Sequence, residues 1–256
     1  RDVVCQPIRL MESLFRVGES LYEAGKFAEA AKVYADTQAK AGAGEMGEKA
    51  AHKLAWSYFK SDRFPEAAEA FSGQLKVFPT GALAGDASFL LGECFYKQQQ
   101  WKPAMAEYAK VISAKNPTYE ALAIYRSGEC AVSLEQWDQS LKFFQQVLAR
   151  FPDFELKAEA RYGAGWSLQQ QQKLEEAMLF YEKVTEETDT ETAAKARFMI
   201  GECCFAQKKH KEASKHFLKA AFAYGHKEWS AMAWFEAARC FEVLKDVDQA
   251  KNCYQQ

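Results

Sequence analysis

Carboxylates and aromatic rings recur along this chain at fixed distances from small residues, and these side chains suit the noncovalent binding of another molecule. Around Glu93, for example, Phe89 lies four residues earlier and Tyr96 three residues later. Residues spaced by three or four share one face of a helix. Rings on such a face can anchor an extended peptide, and a Glu between them can orient its basic or amide groups.

The histidines and remaining reactive side chains show no catalytic or metal-binding pattern. Among the four histidines, His210 and His216 are six residues apart, which misses the four-residue step that places two metal ligands on one helical face. The sequence contains no nucleophile elbow and no glycine-rich phosphate loop. We therefore expect no enzymatic activity, no catalytic residues, no metal site and no cofactor.

Four of the seven cysteines, Cys94, Cys130, Cys203 and Cys240, occupy one equivalent place, two residues after a recurring small residue. Equivalent positions of stacked helices are about 8 to 10 Å apart, and a disulfide tolerates a Cα separation of only about 7 Å. The spacing predicts free, buried thiols with a structural role.

The elements that position these side chains follow from an internal repeat. A small residue is followed twelve positions later by a second small residue and four positions after that by a ring, and the pattern occurs seven times at intervals of 36 or 37 residues. The first small residues are Gly18, Ala55, Gly92, Gly128, Gly165, Gly201 and Ala238. The rings are Tyr34, Phe71, Tyr108, Phe144, Tyr181, Phe217 and Tyr254.

Repetition at this period predicts a single helical array over residues 1–256. Apolar residues recur at three- and four-residue steps, so each repeat is predicted to contain two helices of about 13 to 16 residues joined by a polar turn. The predicted repeats cover approximately residues 8–43, 47–80, 84–117, 118–153, 155–190, 191–226 and 228–256, the last being truncated.

Charge and hydropathy argue against a nucleic-acid partner and against a membrane-spanning segment. The chain carries 33 basic and 35 acidic residues, well mixed along its length. This balance gives no long-range field for nucleic acid, so we expect no nucleic-acid partner. No apolar stretch approaches the roughly 18 residues that cross a bilayer, so we expect no transmembrane segment.

The order of small, aromatic and proline positions resembles the tetratricopeptide repeat over nearly the whole chain, with two or three residues added between repeats. The early Trp of that family appears here only as Trp234. The resemblance implies an all-α, right-handed α-solenoid of about seven helix-turn-helix repeats. Phe-Pro endings and Gly-Glu-Cys segments at Gly92, Gly128 and Gly201 resemble a bacterial cell-envelope branch that includes BamD-type outer-membrane assembly lipoproteins and the Tol-Pal-associated periplasmic protein.

In this family the first helix of each repeat lines the concave side. Its residues outside the contact with the second helix form three rows, whose members in one helix are spaced by three or four residues. The first row is Phe15, His52, Phe89, Tyr125, Tyr162, Phe198 and Phe235. The second row is Glu19, Trp56, Glu93, Glu129, Trp166, Glu202 and Arg239. The third row is Tyr22, Phe59, Tyr96 and Phe205, followed by Val132, Gln169 and Glu242. We predict partner contacts from Phe15, Glu19, Tyr22, Trp56, Phe59, Phe89, Glu93, Tyr96, Tyr125, Glu129, Tyr162, Trp166, Phe198, Glu202 and Phe205.

Two questions about this surface stay open at the sequence level. The first row either contacts a partner or is buried between neighbouring first helices. The second row is expected to be exposed, because charged residues are rarely buried without a partner. The function indicated is a protein-binding scaffold in envelope biogenesis, and the alternatives are a self-assembling structural array and a module that binds peptidoglycan or another polysaccharide.

The chain stops at Gln256, inside the second helix of the last repeat, without a polar capping helix. Arrays generally need such caps for solubility. We therefore expect the chain to be part of a longer protein or a larger complex. The envelope resemblance favours the bacterial periplasm, whereas free thiols favour the cytoplasm.

Overall fold

The computed structural model describes the backbone of residues 2–256 and the side chains from residue 9 onward. Over that range the chain forms fourteen α-helices and no β-strand, which confirms the all-α prediction. The helices are α1 (Asp2–Glu23), α2 (Phe27–Ala41), α3 (Glu45–Lys60), α4 (Phe64–Val77), α5 (Ala84–Lys97), α6 (Trp101–Ser113), α7 (Glu120–Ser133), α8 (Trp137–Arg150), α9 (Lys157–Gln170), α10 (Leu174–Glu187), α11 (Glu191–Ala206), α12 (His210–Ala223), α13 (Lys227–Val243) and α14 (Val247–Tyr254).

The chain consists of two compact bodies, Arg1–Cys130 and Ala131–Gln256. In the N-terminal body the core includes Phe71 and Tyr108. In the C-terminal body it includes Tyr181 and Phe217. Each core lies between the two helices of a hairpin and extends to the next hairpin, as the repeat pattern predicts. The single array and its seven repeat boundaries stay a prediction.

The recurring small residue and ring are explained by the packing within each hairpin. The odd-numbered helices are called first helices and the even-numbered ones second helices. A Cβ atom added to Gly92 would lie 2.6 Å from Cε1 of Tyr108, and one added to Gly201 would lie 2.6 Å from Cε1 of Phe217. Both rings are fully buried. The ring on the second helix therefore rests on the backbone of the first helix.

A left-handed residue ends the first helix of each hairpin. After α3, the amide of Asp62 donates to the carbonyl of Phe59 at 3.2 Å and the amide of Arg63 donates to the carbonyl of Tyr58 at 3.0 Å. This pair of bonds is the Schellman arrangement. The residues with positive φ at this place are Gly25, Asp62, Gln99, Glu135, Gln172, Lys208 and Lys245. The tight turn brings the second helix back against the first.

Within each body, successive first helices approach one another directly. Helix α11 contacts both α9 and α13, and α1 contacts α3. The three rows lie along these first helices, so side chains from neighbouring repeats come together on one face. We call this face of the first helices the inner face.

Candidate partner-binding surface

The first row is mostly buried. Phe89 is 4% exposed, Tyr125 7% and Phe198 5%. Phe89 stacks on Tyr119 with ring centroids 4.5 Å apart, and Phe198 meets Trp229 edge to face at 5.6 Å. Phe89 and Phe198 thus pack between hairpins, and all three rings offer little area to a partner, which matches the alternative that the row is buried.

The other first-row members differ in exposure. Phe15 and Tyr162 are half-buried, and His52 is buried. Phe235 is 53% exposed. Only the half-buried and exposed members of the row can therefore contribute to a surface.

The second row is half-buried at Glu19, Trp56, Glu129, Trp166 and Glu202. The expectation of exposure is wrong for Glu93, which is 8% exposed. The Tyr108 hydroxyl donates to Oε1 of Glu93 at 2.5 Å, and Nε of Arg126 donates to the same oxygen at 3.2 Å. A buried carboxylate is tolerated here because it is both hydrogen-bonded and paired with a cation.

The four rings of the third row are half-buried, and each is fixed by an aromatic residue at the start of its own second helix. Tyr96 meets Trp101 at 5.3 Å and Phe205 meets His210 at 4.8 Å, both edge to face. The equivalent pairs are Tyr22 with Phe27 and Phe59 with Phe64. The second helix thus holds each ring in place while part of the ring stays accessible.

Three of these rings lie beneath a cation from the next first helix. Lys53 Nζ is 5.2 Å from the Tyr22 centroid. The guanidinium carbon of Arg126 is 4.9 Å from the Tyr96 centroid, and that of Arg239 is 5.3 Å from the Phe205 centroid. Such contacts contribute about 0.5 to 1 kcal/mol at exposed sites. None of the three cations is among the predicted contact residues, although Arg239 belongs to the second row. Lys53 and Arg126 both lie two residues before a recurring small residue.

The guanidinium groups also bind carboxylates on their own helices. Nη1 of Arg126 donates to Oε2 of Glu129 at 2.7 Å. In α13 the order is reversed, and Nη1 of Arg239 donates to both oxygens of Glu236 at 2.9 and 2.8 Å. Each cluster therefore combines a ring, one guanidinium and nearby carboxylates. Burial, followed by the charge of Glu129, raises the pKa of Tyr96 to about 12.

A buried histidine holds Trp56 of the second row. The indole Nε1–H of Trp56 donates to Nε2 of His52 at 3.1 Å, and Nδ1 of His52 lies 3.1 Å from Oε1 of Gln74. Because an indole can only donate, Nε2 must be the acceptor, which places the imidazole proton on Nδ1 facing Gln74. Burial lowers the pKa of His52, which favours this neutral form.

The four equivalent cysteines are free and buried, as predicted. Burial raises the pKa of each of these thiols, Cys94, Cys130, Cys203 and Cys240, to about 12. They are neutral and serve as packing groups. Among residues 9–256, no group of three or more His, Cys, Asp or Glu side chains is placed to hold a metal ion. None of the helices within the described range has the length and apolar character to span a bilayer.

Comparison with known proteins agrees with the hairpin geometry. A model described as tetratricopeptide repeat matches residues 52–120 and 125–192, and a second model with the same description matches residues 12–41. No curated protein matches the chain significantly by sequence.

Several solved structures share the fold. A tetratricopeptide repeat protein from Parabacteroides merdae aligns with a TM-score of 0.66 at 13% identity, over 96% of this chain and 91% of that chain. PilF from Pseudomonas aeruginosa aligns with a TM-score of 0.60 at 16% identity, over 80% and 88%. MamA from Desulfovibrio magneticus RS-1 aligns with a TM-score of 0.59 at 18% identity, over 68% and 92%.

At these identities the solved structures show the fold alone, whereas the family models also match the sequence pattern. The first model covers more than half of the chain. The protein therefore belongs to the tetratricopeptide repeat family.

Proposed function

We propose that this protein is a non-enzymatic scaffold that binds a segment of a partner protein on the inner face of its first helices. Proteins of this repeat family generally bind other proteins. The observation that carries the proposal is the third row, where Tyr22, Tyr96 and Phe205 are partly accessible and each lies beneath a cation. Aromatic residues and Arg are enriched where proteins bind one another.

The proposed contact residues are the predicted ones that the fold leaves accessible. Four of the predicted residues are buried and pack against or hydrogen-bond their neighbours, namely Phe89, Glu93, Tyr125 and Phe198. The contact residues are Phe15, Glu19, Tyr22, Trp56, Phe59, Tyr96, Glu129, Tyr162, Trp166, Glu202 and Phe205.

Capture of partners from the native host tests the proposal. A variant with Trp56→Ala, Phe59→Ala, Trp166→Ala and Phe205→Ala should lose capture while its circular dichroism stays helical. The matched control carries Leu179→Ala and Phe222→Ala, because these side chains are 61% and 72% exposed on second helices. Undiminished capture by the inner-face variant would reject this surface. Binding of the protein to purified peptidoglycan or polysaccharide alone would favour the carbohydrate-binding alternative.

We also propose that the scaffold acts in bacterial envelope biogenesis. This part rests on the resemblance of the Gly-Glu-Cys segments to the envelope branch of the family. Fractionation of the native host, followed by immunodetection in periplasmic and cytoplasmic fractions, tests it. Recovery in the cytoplasm alone would contradict an envelope role and leave the scaffold proposal standing.

A further inference from the structure

Two equivalent arginines in the C-terminal body, Arg161 and Arg197, differ in their partners. They are 36 residues apart and occupy the same place in the successive first helices α9 and α11. Arg161 forms an ion pair with Glu187, at the end of its own second helix α10. In the next hairpin the place of Glu187 is taken by Ala223, the last residue of α12. Arg197 therefore lacks the carboxylate that its counterpart has.

Arg197 instead contacts a hydroxyl group and an imidazole. Its Nη2 donates to Oγ1 of Thr185 at 2.7 Å, and its Nη1 lies 3.4 Å from Nδ1 of His216. Among residues 9–256, its Nε is buried and has no hydrogen-bond partner. A buried donor without an acceptor is unfavourable. An external carboxylate beside Ala223 would give the guanidinium the charged acceptor that it lacks.

Positive charge gathers around this guanidinium. Helix α12 carries three lysines and one glutamate. His216, Lys219 and Ala223 are spaced by three and four residues, so they share one face of α12. Burial, followed by the charges of Arg197 and Lys219, lowers the pKa of His216, and Glu212 acts in the opposite direction. We call the side chains of Arg197, His216 and Lys219 the Arg197 site.

The Arg197 site faces the preceding hairpin. Thr185 belongs to α10, so Arg197 lies between α10 and α12. Helix α13 meets α12 on another side, where Trp234 packs edge to face on Phe222 at 4.6 Å. The side chains of the site and their neighbour Thr185 thus come from α10, α11 and α12, all of which belong to complete hairpins.

We propose that the Arg197 site binds an acidic segment of a partner protein, with one carboxylate on Arg197, in the place that Glu187 takes on Arg161, and a second carboxylate on Lys219. Charge complementarity is the reason, because the site combines two cations with no carboxylate of its own, and guanidinium groups pair strongly with carboxylates. The site lies beside the second helices, outside the inner face, and so goes beyond the proposed function.

Nuclear magnetic resonance on the full chain tests the proposal, because the sequence has only four histidines and the His216 ring reports directly on the site. The probes are two short blocked peptides, which differ only in carrying a Glu-Glu or a Gln-Gln pair, and inorganic phosphate. The Glu peptide should shift the His216 ring resonance and bind at least about tenfold more tightly than the Gln peptide. Added salt should weaken binding of the Glu peptide more than that of the Gln peptide.

Two variants assign this preference to Arg197. Ala223→Glu supplies the missing carboxylate from α12 itself and should reduce the preference to about twofold or less, as should Arg197→Gln. Ala223 is exposed, so its substitution does not alter the core. The matched control is Ala114→Glu, because Ala114 is exposed at the equivalent place after α6 and the first helix of that hairpin carries Ser88 instead of an arginine. This control should leave the preference unchanged.

Four outcomes would overturn the inference. Equal affinity for the two peptides, or no shift of the His216 resonance, would remove the carboxylate selection. A preference that survives both Ala223→Glu and Arg197→Gln would place the acidic segment elsewhere. Loss of the preference in Ala114→Glu as well would reduce it to an effect of net charge. Binding of inorganic phosphate without the Glu peptide would assign the site to a free phosphate ion. Each leaves capture through the inner-face rings intact, so the scaffold proposal is judged separately.

Discussion

Gly201 and Phe217 show how one atom can determine the fit between two helices. The ring edge of Phe217 occupies the place where a side chain at position 201 would begin. A glycine inside a helix costs about 1 kcal/mol relative to alanine, so its recurrence at the equivalent positions indicates that close packing outweighs this cost.

Gly201→Ala should therefore destabilise the protein, although alanine is the better helix former. The new Cβ would lie 2.6 Å from Cε1 of Phe217, and overpacking of this kind costs about 1 to 3 kcal/mol. After the gain in helix propensity, we expect a net loss of about 1 to 2 kcal/mol in the free energy of unfolding, measured by urea denaturation. Gly73→Ala is the matched control, since no atom lies within 4 Å of its added Cβ, and it should stabilise by about 0.5 to 1 kcal/mol. A stabilising Gly201→Ala would contradict this packing.

The protonation state of the buried His52 determines whether it can hold the Trp56 side chain in place. Only its neutral form can accept from Trp56 and donate to Gln74 at the same time. Glu48 and Asp86 favour the protonated ring and Lys53 disfavours it, but burial is the largest influence and lowers the pKa.

Acidification should destabilise the protein through His52. The unfolded histidine titrates near its ordinary value of about 6.5, and the folded one titrates at a lower pH. As the pH falls through about 6.5 the unfolded state binds the proton first, so stability is lost until the pH is also below the folded pKa. The free energy of unfolding should be lower at pH 5.5 than at pH 7.5, with a change in Trp56 fluorescence. His52→Phe should reduce the difference, and an unchanged pH dependence in that variant would show that His52 is not its source.

The turn within each hairpin is the element that repeats most regularly. Six of the seven left-handed positions are occupied by residues other than glycine, with φ between 56° and 62°. For such residues the left-handed conformation costs about 1 to 2 kcal/mol. The hydrogen bonds of the Schellman arrangement offset this strain, and the sequence shows only a polar turn at these places.

Gln99→Gly and Lys208→Gly should each stabilise the protein by about 0.5 to 1 kcal/mol, because glycine adopts positive φ without steric cost. The melting temperature and the urea midpoint should both rise. Gln207→Gly provides the control, since Gln207 has a φ of −80° and gains nothing from glycine there. Equal effects of the Lys208 and Gln207 substitutions would contradict a contribution from the left-handed turn.

At the scale of the whole molecule, the hairpins were predictable because every repeat carries the same packing requirement. The spacing of Gly92 and Tyr108, and of Gly201 and Phe217, predicts two helices in each repeat, whereas the contact between the glycine and the ring is a finding of the structure. The free thiols were predictable for the same reason, since Cys94 and Cys203 occupy equivalent buried places.

The accessible surface was less predictable, because it depends on residues that the rows do not contain. Phe89 is buried by Tyr119, which belongs to the start of the next hairpin. Glu93 is buried because Tyr108 and Arg126 satisfy its carboxylate. Periodicity along one helix gives the face on which a side chain lies, but it does not give the side chains that approach from neighbouring repeats.

Site-specific photocrosslinking in the native host tests the central claim most directly. A photoreactive phenylalanine analogue replaces Phe59 or Phe205 on the inner face, and Phe222 on a second helix serves as the control at matched expression. We expect a discrete crosslinked partner protein at Phe59 and Phe205, absent at Phe222. Crosslinks at Phe222 alone, or the same adducts at all three positions, would contradict binding through the inner face.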